Sequence, residues 1–247
     1  MFRLGLDLGS SYTKGVIVDG DRNPIDRLVV KTGYDFRAAA AEIINTFSRK
    51  YQIEFPVFTC GYGREQVEDP FVSNSEITAL AKAVFRAYRR KAVILDIGGQ
   101  DTKFISLADD GTIEKFKVNR KCAAGTGAFL EEIAFRLGVS PEKFDELAGL
   151  ATEKIEISSF CTVFAVSELI GLIKKGVSLP NIVMGVYRCV MTRALELAQP
   201  GYPIILTGGL AARHPMIVKL FKEIFPDVES PEPAQFMAAH GSILLND

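Results

Sequence analysis

The stretch Leu6-Asp7-Leu8-Gly9-Ser10-Ser11-Tyr12-Thr13-Lys14 returns further along the chain as Leu95-Asp96-Ile97-Gly98-Gly99-Gln100-Asp101-Thr102-Lys103, with Asp7 and Asp96 89 residues apart. Leucine, aspartate, glycine, threonine and lysine are identical in the two copies, and Leu8 is matched by Ile97. Each copy has the same grammar. An apolar strand ends next to an acidic residue, a polar glycine turn follows, and a second apolar strand leaves it over residues 15–18 or 104–107. That pattern predicts a β-hairpin with a loop longer than the two-residue minimum. Two copies are too few for a solenoid, which needs at least three repeats. They predict two similar halves, residues 1–90 and 91–233.

Between the copies, residues 24–31 read as a third strand and residues 36–50 as a helix with Asp35 as its N-cap. Residues 56–60 read as a short strand ending in the turn Gly61-Tyr62-Gly63. Ser73-Asn74-Ser75-Glu76 is a capping-box pattern, and Ile77, Leu80, Ala81, Val84 and Tyr88 follow at helical spacing. After the second copy, strands are predicted over 92–107 and 113–118. Helices are predicted over 128–137, from Pro141 behind Ser140, over 162–174 and over 181–198. Residues 203–206 read as a strand running into a third glycine loop, Thr207-Gly208-Gly209. Two helices close the chain, one after Pro215 and one over about 234–247, the latter expected to pack on the first half.

The 247 residues carry 29 basic and 30 acidic side chains, a net charge of −1, and 48% are hydrophobic. Such a chain builds a sizeable core. It lacks the basic excess that non-specific nucleic-acid binding needs, so no nucleic-acid partner is expected. No apolar run approaches the ~20 residues that span a bilayer. Residues 1–7 hold no apolar stretch ahead of the first carboxylate, so neither a membrane segment nor a signal peptide is expected. A cytoplasmic location follows, with Cys60, Cys122, Cys161 and Cys189 reduced rather than paired.

A carboxylate at a strand end beside a small-residue turn suits nucleotide phosphates. Glycine lets backbone N–H groups approach phosphate oxygens closely. The carboxylate holds Mg²⁺ directly or through water, because Mg²⁺ keeps several waters and few protein ligands. Asp7 with Gly9, Ser10 and Ser11, and Asp96 with Gly98 and Gly99, fit that division of labour. Thr13 and Lys14 offer a hydroxyl and a countercharge. An ordinary hairpin turn explains one copy; two copies plus Gly208-Gly209 make that reading poor. There is no GxxxxGK[ST] string and no GxGxxG after a strand, so neither a P-loop nor a Rossmann fingerprint applies.

The paired hairpins and late Gly-Gly loop resemble the acetate and sugar kinase, Hsp70 and actin superfamily. Three strings narrow the resemblance: Asn119-Arg120-Lys121-Cys122-Ala123-Ala124-Gly125-Thr126-Gly127, Ser158-Ser159-Phe160-Cys161-Thr162-Val163-Phe164-Ala165, and Asp96-Ile97-Gly98-Gly99-Gln100-Asp101. Together they resemble the ATP-dependent activators of 2-hydroxyacyl-CoA dehydratases, the BadF/BadG/BcrA/BcrD type. The resemblance implies an α/β fold of two related ribonuclease H-like halves, actin/Hsp70-like, around a nucleotide cleft. It implies an ATPase that binds ATP/ADP and Mg²⁺, with Asp7 and Asp96 near the metal. Gln100 orients the attacking water, with Asp101 as its rival, and Gly125, Thr126, Gly127, Gly208 and Gly209 join the nucleotide site. It implies a homodimer holding one [4Fe–4S] cluster, which takes electrons from a ferredoxin or flavodoxin and delivers them to an iron–sulfur dehydratase or reductase. Val166 and Ala128 depart from the family pattern, where Glu and Arg are usual, and bear on the partner's identity.

Cys122 and Cys161 supply two thiolates where a [4Fe–4S] cluster takes four. A two-fold dimer supplies the pair twice. Both precede predicted helices, whose N-termini favour thiolates and an anionic cluster. The bland alternative is a pair of small buried hydrophobes, and that is the reading taken for Cys60 and Cys189. His214 and His240 have no ligand-spaced partners and read as surface or satisfied histidines. The run from Arg86 to Lys91 reads as a solvated helix end. Competing functions are a small-molecule kinase of the same superfamily and a nucleotide-dependent switch without redox chemistry.

Overall fold

The computed structural model describes residues 1–68, 70–119, 125–158, 161–197 and 203–246. It contains two compact units. The first comprises Met1–Ala92, Ile105–Phe116 and Gln235–Asp247, and the second Val93–Phe104 and Lys117–Ala234.

In the first unit the order is β1 (Arg3–Leu8), β2 (Tyr12–Val18), β3 (Pro24–Lys31), α1 (Phe36–Tyr51), β4 (Val57–Cys60), β5 (Phe71–Ser73) and α2 (Glu76–Tyr88), joined at the end of the chain by α9 (Met237–Leu244). The strands form one mixed sheet in the order β3-β2-β1-β4-β5. β1 runs antiparallel to β2 and parallel to β4. Period-two alternation decides what each face buries. Leu4, Leu6, Leu8 and Ile17 form one core with Ile43 and Phe47 of α1. Val16 and Val18, on the other face of β2, pack with Ala239 and Ile243 of α9. Helix α1 starts where expected because the Asp35 carboxylate accepts from the N–H groups of Arg37 and Ala38 at 2.9 and 3.1 Å. At α2, Ser75 takes the N-cap position, but its side chain makes no capping bond. Buried α9 lies so close to its neighbours that a Cβ at Gly5 would strike the Ala239 carbonyl, and one at Gly241 the Ala79 carbonyl.

The second sheet has the order β10-β9-β6-β7-β8, from β6 (Ala92–Ile97), β7 (Thr102–Leu107), β8 (Ile113–Asn119), β9 (Ile204–Thr207) and β10 (Val228–Glu229). The four residues joining neighbouring β6 and β7 are too few for a crossover, so this pair is the second hairpin. Its helices are α3 (Gly127–Leu137), α4 (Phe144–Gly149), α5 (Thr162–Lys174), α6 (Leu179–Leu197), α7 (Gly208–Arg213) and α8 (Pro215–Ile224). Leu95, Ile97 and Leu206 pack in one core with Phe129 of α3, Val186 of α6 and Phe221 of α8.

Several elements differ from the expectation. The helix expected from Pro141 is a 3₁₀ turn, Pro141–Lys143, followed by six-residue α4. Strands β5 and β10, of three and two residues, carry too little pattern to be read. Gly208 and Gly209 do not form a free loop but open α7.

Candidate functional site

The β1/β2 register sets Asp7 opposite Lys14, and the Lys14 ammonium donates across the pair to Asp7 Oδ2 at 2.8 Å. Asp7 is only 4% exposed, and its other oxygen, Oδ1, is buried with no hydrogen-bond partner. Leaving such an atom unpaired costs about 1–3 kcal/mol. A cation or a water that reached this oxygen would supply the partner it lacks. The wall beside it is the turn Gly61-Tyr62-Gly63, to which sequence alone assigned no part in the site. Gly61 has φ +92°, and a Cβ there would lie 2.5 Å from Asp7 Oδ1. The Gly63 N–H donates to the Leu8 carbonyl at 2.9 Å. The glycine spacing after a strand was the available signal.

Not every residue of the loop faces outward. Gly9, Ser10 and Ser11 are half-buried at its tip. The fully buried Thr13 hydroxyl lies 3.0 Å from that of Thr32, which donates to the Gly9 carbonyl at 2.7 Å. Thr13 therefore braces the loop from inside.

The second hairpin repeats the carboxylate–lysine pairing with one addition. Lys103 Nζ lies 3.4 Å from Asp96 Oδ1 and 2.7 Å from Asp101 Oδ1. Parallel pairing of β6 with β9 brings Thr207 beside Asp96, and its hydroxyl donates to Asp96 Oδ2 at 2.9 Å. Both oxygens of Asp96 are thus engaged, against one of Asp7. The Gly98 N–H donates to the Asp101 carbonyl at 2.9 Å and closes the turn. Gln100 is exposed at its tip, whereas the Asp101 carboxylate is held by Lys103.

The start of α3 grips this loop. The N–H groups of Gly127 and Ala128 donate to the carbonyls of Gly98 and Gly99 at 2.9 and 2.8 Å, and the Thr102 hydroxyl donates to the Gly125 carbonyl at 3.0 Å. Thr126 is buried at the N-cap, with no side-chain capping bond. Gly125, Thr126 and Gly127 therefore lie against the loop's backbone. Gly208, at φ +92°, would place a Cβ 2.5 Å from the Ile97 carbonyl, so its task is to let β9 turn into α7 against β6. A Cβ at Gly209 would meet open space, leaving that position accessible to a ligand.

Of the two cysteines singled out, Cys122 lies outside the described residues. Cys161 is a half-buried free thiol at the N-cap of α5. A thiolate there meets the partial positive charge of a helix N-terminus, which suits an anionic cluster. Sequence reasoning passed over Glu168. This α5 carboxylate accepts from the Ser158 N–H at 3.0 Å and from its hydroxyl at 3.2 Å, fastening the cysteine string to the helix. Val166 packs partly buried against the core, and Val163 and Phe164, directly after the cysteine, are exposed. Among the described residues no three His, Cys, Asp or Glu side chains cluster as a metal site.

Residues 4–246 match the model of the BadF/BadG/BcrA/BcrD ATPase family. The chain belongs to this family. Among family relatives, the activator of lactoyl-CoA dehydratase from Anaerotignum propionicum is 39% identical over 218 residues, 85% of this chain and 84% of that protein. The solved activator of 2-hydroxyisocaproyl-CoA dehydratase from Clostridium difficile with bound ADPNP superposes with a TM-score of 0.90 at 29% identity, covering 99% of this chain and 94% of that one. A ROK family glucokinase from Streptomyces griseus, 12% identical over 99% of both chains, shares the fold at a TM-score of 0.61 and nothing further. The BadF/BadG/BcrA/BcrD fold is thus the expected α/β, actin/Hsp70-like one.

The residues set aside as structural behave so. Cys60 and Cys189 are buried, and burial pushes the Cys189 thiol up. His214 Nδ1 lies 2.8 Å from the Tyr187 hydroxyl, and His240 Nε2 lies 3.0 Å from the Arg22 carbonyl. No helix among the described residues is long and apolar enough to cross a membrane.

Proposed function

We propose that this chain is an ATP-hydrolysing activator that passes low-potential single electrons to a partner 2-hydroxyacyl-CoA dehydratase or related reductase. The observation that supports nucleotide binding most directly is the duplicated carboxylate–lysine hairpin with one buried, unpartnered oxygen at Asp7. Asp7 and Asp96 are the carboxylates that would hold Mg²⁺, which would offset phosphate charge, while Lys14 and Lys103 fix these carboxylates and offset their charge. Each hairpin loop offers backbone N–H groups to phosphate oxygens, and Gly209 leaves room for the adenosine. Gln100 orients the water. Its oxygen bonds to the γ-phosphorus as the bridge to ADP breaks, and its proton leaves with the phosphate or solvent. A neutral, exposed amide suits that task beside a polyanion better than Asp101, which Lys103 already holds.

Cys122 and Cys161 of each of two copies hold one [4Fe–4S] cluster. When bound, the cluster supplies one-electron chemistry, loaded by a ferredoxin or flavodoxin. Cys161 at the head of α5 supports this as a donor, and exposed Val163 and Phe164 supply apolar surface beside it for a second copy. The test is a Cys122→Ala protein purified without oxygen. It is expected to bind Mg·ATP as the parent does, to lose the brown colour of the parent, and to leave the partner inactive. Partner activation by the variant would refute the cluster reading, and a colourless parent would point to the kinase alternative.

A further inference from the structure

A separate hollow of about 340 Å³ lies in the first unit at the start of α1, lined by Tyr34, Phe36, Arg37, Tyr62 and Gln66. None of these residues belongs to either phosphate hairpin, although Tyr62 lies in the turn whose Gly61 stands against Asp7, so the hollow adjoins that carboxylate. Two of its rings are held out in solvent, Tyr34 at 99% and Tyr62 at 74% exposure. Exposed rings gathered around one concavity offer a surface on which another ring can stack. Tyr62 and Phe36 stand 6.2 Å apart with their planes 36° from parallel. Gly63 fixes that arrangement, because a Cβ there would run into the Phe36 ring.

The polar groups decide what the hollow takes. Asp35 already satisfies the N–H groups of Arg37 and Ala38, and its carbonyl that of Ala39, so this helix end is closed to phosphate. What remains is aromatic face, with Arg37 and Gln66 as the polar residues of the lining. Ligand pockets run from about 300 to 1,000 Å³, so this one has room for a single ring system and not for a dinucleotide. We propose that the hollow binds a planar heteroaromatic ring with hydrogen-bonding edges, of the flavin or nucleobase kind, at a site distinct from that of ATP. The ring stacks on Tyr62 and Tyr34 and presents its edge to Arg37 and Gln66.

The test is titration of the full chain with riboflavin, read by quenching of its fluorescence, and with adenosine, read by calorimetry. At least one probe is expected to bind saturably, with affinity unchanged by saturating Mg·ATP. Tyr62→Ala should weaken binding about tenfold, the lower end of what one aromatic–base stack contributes, whereas Tyr62→Phe should keep it. Tyr34→Ala, at a fully exposed position that cannot unsettle the core, should weaken it as well. Saturable binding of neither probe, displacement by Mg·ATP, or unchanged binding in the Tyr34→Ala/Tyr62→Ala double variant would overturn the proposal.

Discussion

Gln100 and Asp101 are adjacent in one loop, yet they differ in freedom. Lys103 holds the Asp101 carboxylate at 2.7 Å, while Gln100 stands exposed. Gln100→Ala is therefore expected to lower kcat for ATP hydrolysis by about 10²-fold or more with little change in KM, and Asp101→Asn to lower it less. Steady-state phosphate release checks this, and the reverse order would move the water-positioning role to Asp101. The glycines of the third loop divide in the same way. Gly208→Ala sets an L side chain at φ +92° against the Ile97 carbonyl. It should cost at least about 1–3 kcal/mol, seen as a fall in Tm of several degrees. Gly209→Ala meets open space, so it should keep Tm and weaken nucleotide binding; an unchanged Kd would remove Gly209 from the site. The residue types of this site were legible in the repeated string. The division of tasks was not, because a string shows that Gly208 and Gly209 are both glycine and not which one lies against β6.

At the scale of elements, one polar knot ties three helices of the second unit. The Tyr187 hydroxyl of α6 donates to Asp145 Oδ2 of α4 at 2.8 Å, and His214, just before α8, lies 3.0 Å from that same oxygen. The Met216 N–H of α8 donates to Asp145 Oδ1 at 2.6 Å. Burial pushes Asp145 up, but these hydrogen bonds outweigh it and hold the carboxyl below its ordinary value. Burial and the neighbouring carboxylate hold the Tyr187 phenol well above its own. Because folding lowers the Asp145 pKa, its contribution to stability is fully present above the unfolded value of about 4 and disappears as pH falls through the lower folded value. Asp145→Ala should cost about 1–3 kcal/mol at neutral pH by stranding its buried partners, and should flatten the acid side of the stability profile. Denaturant melts at neutral and acid pH check it; a variant with the parent's acid slope would sink the assignment. Nothing local in the sequence announced this knot, since its members are 42 and 27 residues apart along the chain. The hairpins, α1 and its Asp35 cap were legible because their signals are local. The helix read from Pro141 was legible in its place but not in its form, since it opens as a 3₁₀ turn and its short α4 is fastened by Tyr187 and Met216.

For the whole molecule, the arithmetic of thiolates is decisive. One chain brings Cys122 and Cys161 to the proposed cluster, while Cys60 and Cys189 are committed to the core and the Cys189 thiol is pushed up by burial. Four thiolates then require two chains related by a two-fold axis. Iron content and association state should therefore change together. Protein purified without oxygen is expected to carry about four irons per two chains and to run as a dimer in size-exclusion chromatography. Cys161→Ser should lose the iron of both halves at once rather than half of it, because a cluster left with one thiolate from each copy is not held. Cys60→Ser and Cys189→Ser should change stability and keep the iron. About four irons on a single chain, or a Cys161→Ser protein that keeps half its iron, would show that each copy builds its own centre. A dimer that persists without iron, lost instead when Val163 and Phe164 are changed to Ser, would show that the apolar surface after Cys161 joins the copies and the cluster only bridges them.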